Sequence, residues 1–222
     1  MTAQLPSAAA VVFDCDGLLL DTEPLWGMAE RAFVVEQGGT WSDDLRRQTH
    51  GRSIRGSASL LAAAAGASLS VDEAEYQLVT HFEKVVARHE APLMPGAVEL
   101  LDALCGTPLA VASNSPDPLL ERLLARAGVR DRFHAVVGAG GRLASKPAPD
   151  VYLAACRALN VDPIVAHALE DSQPGVDSAA AAGLTVTGVN DSPEVRLTGC
   201  RRVSGLHQLS LRDLAIPEQR DV

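Results

Sequence analysis

The chain has 222 residues, of which 47% are hydrophobic and 21% charged, the balance of a packed globular protein and not of a disordered one. Its formal net charge of −9 opposes a phosphate-backbone footprint, because nucleic-acid binders cluster Lys and Arg against phosphates. No apolar run reaches the roughly 18 residues that span a bilayer, and the N-terminus lacks the basic start and apolar stretch of a secretory signal, so a cytoplasmic protein with neither nucleic acid nor membrane as partner is expected.

The first apolar run, Ala8 to Phe13, leads into Asp14-Cys15-Asp16-Gly17. A continuous run of this length predicts a strand buried on both faces, with two carboxylates at its carboxyl end and a turn at Gly17. A calcium loop is excluded, since the EF-hand needs Gly at its sixth position and Glu at its twelfth, whereas Gly17 is fourth and Leu25 twelfth. Residues 22 to 93 contain no convincing strand and predict several helices; the clearest spans Val71 to His89, with Leu78, Val79, Phe82, Val85 and Val86 at three- and four-residue steps. Pro92, Pro95 and Gly96 mark a linker and a helix start. The expectation is a helical domain inserted over residues 22–93, with the core formed by 1–21 and 94–222.

Four further apolar runs follow, Leu109 to Ala112, Ala135 to Val137, Val165 to Leu169 and Leu184 to Val189. Between the later ones, helices are predicted from Asp117 to Ala127, Asp150 to Leu159 and Asp177 to Ala182, stopped at Gly128, Asn160 and Gly183. Alternating strands and helices imply right-handed crossovers and a doubly wound, Rossmann-like parallel sheet. Such sheets bind ligands beyond the carboxyl ends of their strands. The residues there are Ser113-Asn114 after the second run, Lys146-Pro147 after the third and Glu170-Asp171 after the fourth. Together with Asp14 and Asp16 they bring carboxylates, a hydroxyl and one ammonium group to a common point, a set suited to a metal ion and a phosphate. The cysteines Cys15, Cys105, Cys156 and Cys200 form no C-x-x-C pair, so neither a zinc site nor a disulfide framework is suggested.

Val11 to Thr22, Ser113-Asn114, Ser145-Lys146-Pro147-Ala148-Pro149-Asp150 and Leu169 to Val176 resemble the four motifs of the haloacid dehalogenase-like superfamily. Within it the chain is similar to the phosphoglycolate phosphatase and beta-phosphoglucomutase branch, whose helical cap is inserted after the first motif. The resemblance implies a magnesium-dependent phosphatase acting on a small phosphorylated metabolite such as a sugar phosphate, through an aspartyl phosphate. It implies Asp14 as nucleophile and Asp16 as general acid and base, with Lys146, Ser113 and Asn114 holding the phosphate. Asp14, the Asp16 carbonyl, Asp171 and Glu170 then match the Mg²⁺ ligands, and oxygen-only ligation suits that ion. Asp177 reads either as a third acidic contributor or as a carboxylate at a helix N-terminus.

The resemblance also implies substrate selection by the cap. Thr22 matches a hinge position, and His50-Gly51-Arg52-Ser53-Ile54-Arg55 resembles the substrate-contacting loop, where Arg52 or Arg55 could hold a leaving group. Trp26 could line the pocket or pack in a core. Two departures count against a mutase: beta-phosphoglucomutases carry a His after the nucleophile loop and a Lys after the second motif, and Trp26 and Pro116 stand there. A catalytically silent binding protein on the same fold is a third reading, although no motif residue is lost. The sequence sets no oligomeric state; a monomer is compatible with it.

Overall fold

A computed structural model describes residues 8–49 and 52–216. The chain divides into two compact units, one formed by the chain up to Leu20 and from Leu93 onward, the other by Asp21–Pro92.

The first unit is built on six parallel strands: β1 (Ala10–Phe13), β2 (Leu109–Ser113), β3 (Ala135–Gly138), β4 (Ala166–Glu170), β5 (Thr185–Val189) and β6 (Arg201–Val203). Their order is β3-β2-β1-β4-β5-β6, a doubly wound α/β sheet whose strand order reverses at β1. β1, β2 and β4 are buried at every position, as strands covered by helices on both faces must be. The helices of this unit are α5 (Ala97–Ala103), α6 (Asp117–Arg126), α7 (Asp150–Leu159) and α8 (Gln173–Ala182), where α1 to α4 belong to the other unit. Their stops are the expected left-handed residues, Asn160 after α7 and Gly183 after α8. One core layer joins Val12, Ala110, Ala112, Val151, Tyr152, Ala155, Ala168, Val176 and Ala179. Small residues dominate it, which lets α7 and α8 approach the sheet closely.

In this unit β6 and the start of α8 differ most from the sequence expectation. β6 is a sixth strand, only Arg201-Arg202-Val203, with both arginines exposed; an edge strand of three residues with charged side chains has no apolar run to announce it. α8 begins at Gln173 and not at Asp177, because the Ser172 side chain accepts from Gly175 N and caps the helix. Asp177 therefore lies inside α8, where it accepts from Gln173 Nε2 at 2.6 Å.

The second unit holds α1 (Glu23–Glu36), α2 (Asp43–Thr49), α3 (Ile54–Ala64) and α4 (Val71–Val86). The helix expected over Val71 to His89 thus ends three residues early. Its start is set by a capping box between Ser70 and Glu73. α1 and α3 both pack on α4, burying Phe33, Leu61, Leu78 and Phe82. Within this small core Glu30 is buried and accepts from the Thr49 hydroxyl at 3.0 Å. Burial pushes that carboxyl up to about 7.

In the first unit His167 of β4 is buried, with Nε2 2.9 Å from Thr187 Oγ1. Burial depresses its pKa from 6.5 to about 4, against a backbone hydrogen bond with Leu214 that acts the other way. At pH 7 the ring is neutral in both the folded and the unfolded chain. Below the unfolded value only the unfolded chain takes up a proton, so the stability His167 contributes is present above pH 6.5 and lost as pH falls toward about 4. The loss is roughly 3 kcal/mol. Urea unfolding of the wild type and of His167→Gln at a series of pH values should show the wild type losing about that much relative to the variant between pH 7 and pH 4; parallel curves would refute the assignment.

Candidate active site

The sheet register decides which side chains meet. Phe13 pairs with both Val111 of β2 and Leu169 of β4, so the next residues of the first and fourth runs, Asp14 just past β1 and Glu170 at the end of β4, emerge side by side. The Asp14 amide donates to Leu169 O at 2.9 Å, which carries the chain one residue beyond β1 in that register. Ser113 pairs with Gly138 and closes the other flank. Asp14, Glu170 and Asp171 each offer a carboxylate oxygen within 4.8 Å of the others.

One cation faces these acids. Lys146, almost wholly buried, donates from Nζ to Asp14 Oδ1 and to Glu170 Oε1. Burial alone would lower the lysine pKa, but the Asp14 and Glu170 carboxylates outweigh it and hold the ammonium above its ordinary value. Asp14 is pushed up by burial and by the neighbouring Glu170 and Asp16, with Lys146 opposing. Asp171 is raised well above its usual range by burial and by Asp14 and Glu170. Three carboxylates against one ammonium leave an excess of negative charge in a poorly solvated place, and an all-oxygen donor set with such an excess fits a hard divalent cation.

Backbone geometry holds the acids from behind. Gly17 has φ of +84° and abuts the Asp171 carboxylate, where a Cβ would collide with Oδ2; the turn and the contact both require glycine. Gly175 plays the same part for Glu170, whose carboxylate occupies the space a Cβ would take. Asn190 Nδ2 donates to the Asp171 carbonyl at 2.9 Å, and its Oδ1 accepts from Ser192 N at 2.9 Å.

Asp16 is anchored on the β2 side. Its Oδ2 accepts from the Ser113 hydroxyl at 3.0 Å and from the Ser115 hydroxyl at 2.9 Å, while Ser115 N donates to Ser113 Oγ at 2.9 Å. Asn114 Oδ1 accepts from Lys146 N at 2.8 Å and so ties the second motif to the third. The first unit thus brings together Asp14, Asp16, Ser113, Asn114, Lys146, Glu170 and Asp171. Asp177, exposed in α8, bonds to Gln173 instead. Tyr152, Ser115 and Asn190 were missed by the sequence reading. Tyr152 stands six residues after Lys146 in an otherwise apolar helix face, and the hydroxyl on a buried ring was the signal that it needed a partner.

The remaining sequence-derived residues lie in the second unit. Thr22 is fully buried and its carbonyl accepts from Leu25 N and Trp26 N, so it starts α1. Trp26 stacks on Phe82 with ring centroids 3.7 Å apart and an interplanar angle of 11°. Arg55 bonds to Asp72 at 2.7 Å and Glu75 at 2.8 Å, joining the start of α3 to α4. Arg52 donates to Gln48 O at 2.6 Å. His50 and Gly51 lie outside the described residues. No helix among the described residues is long and apolar enough to cross a membrane.

Comparison with known proteins shows the family and the fold. Residues 8–183 match the family model of the haloacid dehalogenase-like hydrolases. The chain is 33% identical to hexitol phosphatase B of Escherichia coli K12 over 219 residues, covering 92% of this chain and 96% of the relative. It is 27% identical to the beta-phosphoglucomutase of Bacillus subtilis, with 81% and 82% covered. Among solved structures, CbbY of Rhodobacter sphaeroides in complex with xylulose-(1,5)bisphosphate superposes with a TM-score of 0.81 at 26% identity, over 93% of this chain and 99% of that one. The chain therefore belongs to the haloacid dehalogenase-like hydrolases and is a phosphomonoester hydrolase.

Proposed function

We propose that the protein is a magnesium-dependent phosphatase that releases inorganic phosphate from a small sugar or polyol phosphate by way of an aspartyl phosphate on Asp14. The observation that carries the reading is the placement of two differently held carboxylates at one strand end: Asp14, buried and bonded to Lys146, and Asp16, held by the Ser113 and Ser115 hydroxyls. Unlike environments give unlike tasks.

Asp14 attacks phosphorus in line with its second oxygen while Lys146 holds the first. At an effective dielectric of about 20, two unit negative charges roughly 4 Å apart repel by about 4 kcal/mol, so an anionic nucleophile needs cations near an anionic phosphoryl group. Lys146 is one. Asp14, Glu170, Asp171 and the Asp16 carbonyl are the ligands proposed for Mg²⁺, which when bound supplies further positive charge and orients the phosphoryl oxygens. Asp16 protonates the leaving oxygen, then takes a proton from the water that hydrolyses the aspartyl phosphate; the two half-reactions use it in opposite protonation states. Ser113, Asn114 and Lys146 are assigned to the phosphate. The Ser113 hydroxyl donates to Asp16 in this structure, so it must turn to donate to a phosphate.

The second unit is assigned the role of a cap that selects the leaving group and excludes water. A sugar or polyol phosphate as substrate is supported by the relatives named above, a hexitol phosphatase and a protein bound to xylulose-(1,5)bisphosphate. Transfer to a sugar hydroxyl in place of water is the competing reading. It is disfavoured by Trp26, whose ring lies flat on Phe82, and by Pro116, which leads into α6. Neither offers the cationic or proton-carrying group with which a mutase would grip a bisphosphate.

Three outcomes test the proposal. Asp14→Asn, nearly isosteric but a poor nucleophile, should lower kcat on the order of 10⁴-fold with the unfolding transition retained; phosphate release near the wild-type rate by a folded variant would sink the nucleophile assignment. Exhaustive chelation should abolish turnover and added Mg²⁺ restore it, whereas full activity of the chelated protein would remove the metal from the reading. Phosphorus NMR of a reaction begun from beta-glucose 1-phosphate, with Mg²⁺ and a trace of the bisphosphate, should show inorganic phosphate as the accumulating product. Glucose 6-phosphate rising faster than phosphate would replace the hydrolase with the mutase.

A further inference from the structure

We propose that Tyr152 is a positioning residue of the active site: its phenol, shared with Lys146 at one oxygen of Glu170, sets that carboxylate so that its other oxygen is the one left for the cation. The inference rests on the metal-site reading above.

Tyr152 is the third residue of α7 and fully buried. Its hydroxyl donates to Glu170 Oε1 at 2.5 Å, the same oxygen that accepts from Lys146 Nζ at 2.5 Å. The lysine ammonium lies 5.0 Å from the centre of the tyrosine ring, within cation–π range. One side chain therefore contacts both the acid and the base of the buried pair. Gly175 leaves no room between backbone and carboxylate, and the Ser172 hydroxyl donates to Oε2 at the longer distance of 3.3 Å.

A purely structural role for this side chain is the alternative, since Tyr152 also belongs to the core layer with Val12, Ala112 and Ala155. Packing needs the ring alone, and phenylalanine would supply it. The phenol matters only if the direction of the Glu170 carboxylate matters. Without it Oε1 keeps Lys146 as its remaining named donor, the carboxylate gains freedom to turn, and its pull on Lys146 is no longer divided. Hydrogen-bond partners of metal-binding carboxylates typically change metal affinity by 10- to 100-fold when removed.

The test is calorimetric titration of Mg²⁺ into the full-length protein without substrate, for the wild type, Tyr152→Phe and Gly175→Ala. The Mg²⁺ dissociation constant should rise about tenfold in Tyr152→Phe, with the metal-free melting temperature changed by only a few degrees. It should also rise in Gly175→Ala, whose added Cβ displaces the same carboxylate. A folded Tyr152→Phe with wild-type affinity overturns the inference and leaves the metal site standing. If Tyr152→Phe does not fold, unchanged affinity in Gly175→Ala overturns it equally. A wild-type protein that binds no Mg²⁺ overturns the metal reading and this inference with it.

Discussion

A single buried ammonium group, Lys146 Nζ, stands among the carboxylates at the carboxyl edge of the sheet, and the arrangement of the site follows from that imbalance. Asp14 and Glu170 share it directly, while at Asp171 burial and the like charges of Asp14 and Glu170 outweigh its pull. Burying an ion pair is rarely a net gain, and breaking one is strongly destabilising. A fold that buries more acids than bases holds a region that is unfavourable until another cation, or protons, completes it. The raised carboxyl groups of Asp14 and Asp171 express that tension. Catalytic sites store such disfavoured charge where a substrate or ion can use it.

The motif residues were legible because the sheet's geometry is simple. A buried parallel strand has to be a continuous apolar run, so its end is visible as the first polar residue, and Asp14, Glu170 and Lys146 were found in that way or just after it. What escaped were groups whose role depends on three-dimensional register. Ser115 looks like a second turn serine beside Ser113, yet its hydroxyl meets Asp16 across about a hundred residues of chain. Tyr152 belongs to an apolar helix face by every periodic criterion, and only its hydroxyl contradicts a core role. β6 is three residues long and carries two arginines, which no strand pattern captures. The start of α8 was misplaced because Ser172 is both a motif residue and a helix cap.

Arginines in the inserted segment were legible as charges but not as partners. Arg55 was a candidate for the leaving group, and its guanidinium joins the N-terminus of α3 to Asp72 and Glu75. An exposed pair of this kind adds little stability, but it links α3 to α4. Trp26 likewise showed its size in the sequence but not its neighbour, the ring of Phe82. Local sequence can announce a helix; it does not announce which helix a side chain will lie against.

The segment after β5 ties the far end of the chain to the chemistry. Arg202 donates to the carbonyls of Asn190, Ser192 and Val195, gathering the loop from which Asn190 reaches the Asp171 carbonyl. At the opposite end of the sheet the Ala8 amide donates to Ala215 O at 2.8 Å. Synthesis runs from the N-terminus, so all the acidic and basic groups of the site have been made by residue 171, while the loop that braces Asp171 and the cap on the first strand's entrance come tens of residues later. A nascent chain on the ribosome thus carries every acidic and basic group of the cluster before it carries the loop that braces Asp171 and the contact that closes on Ala8.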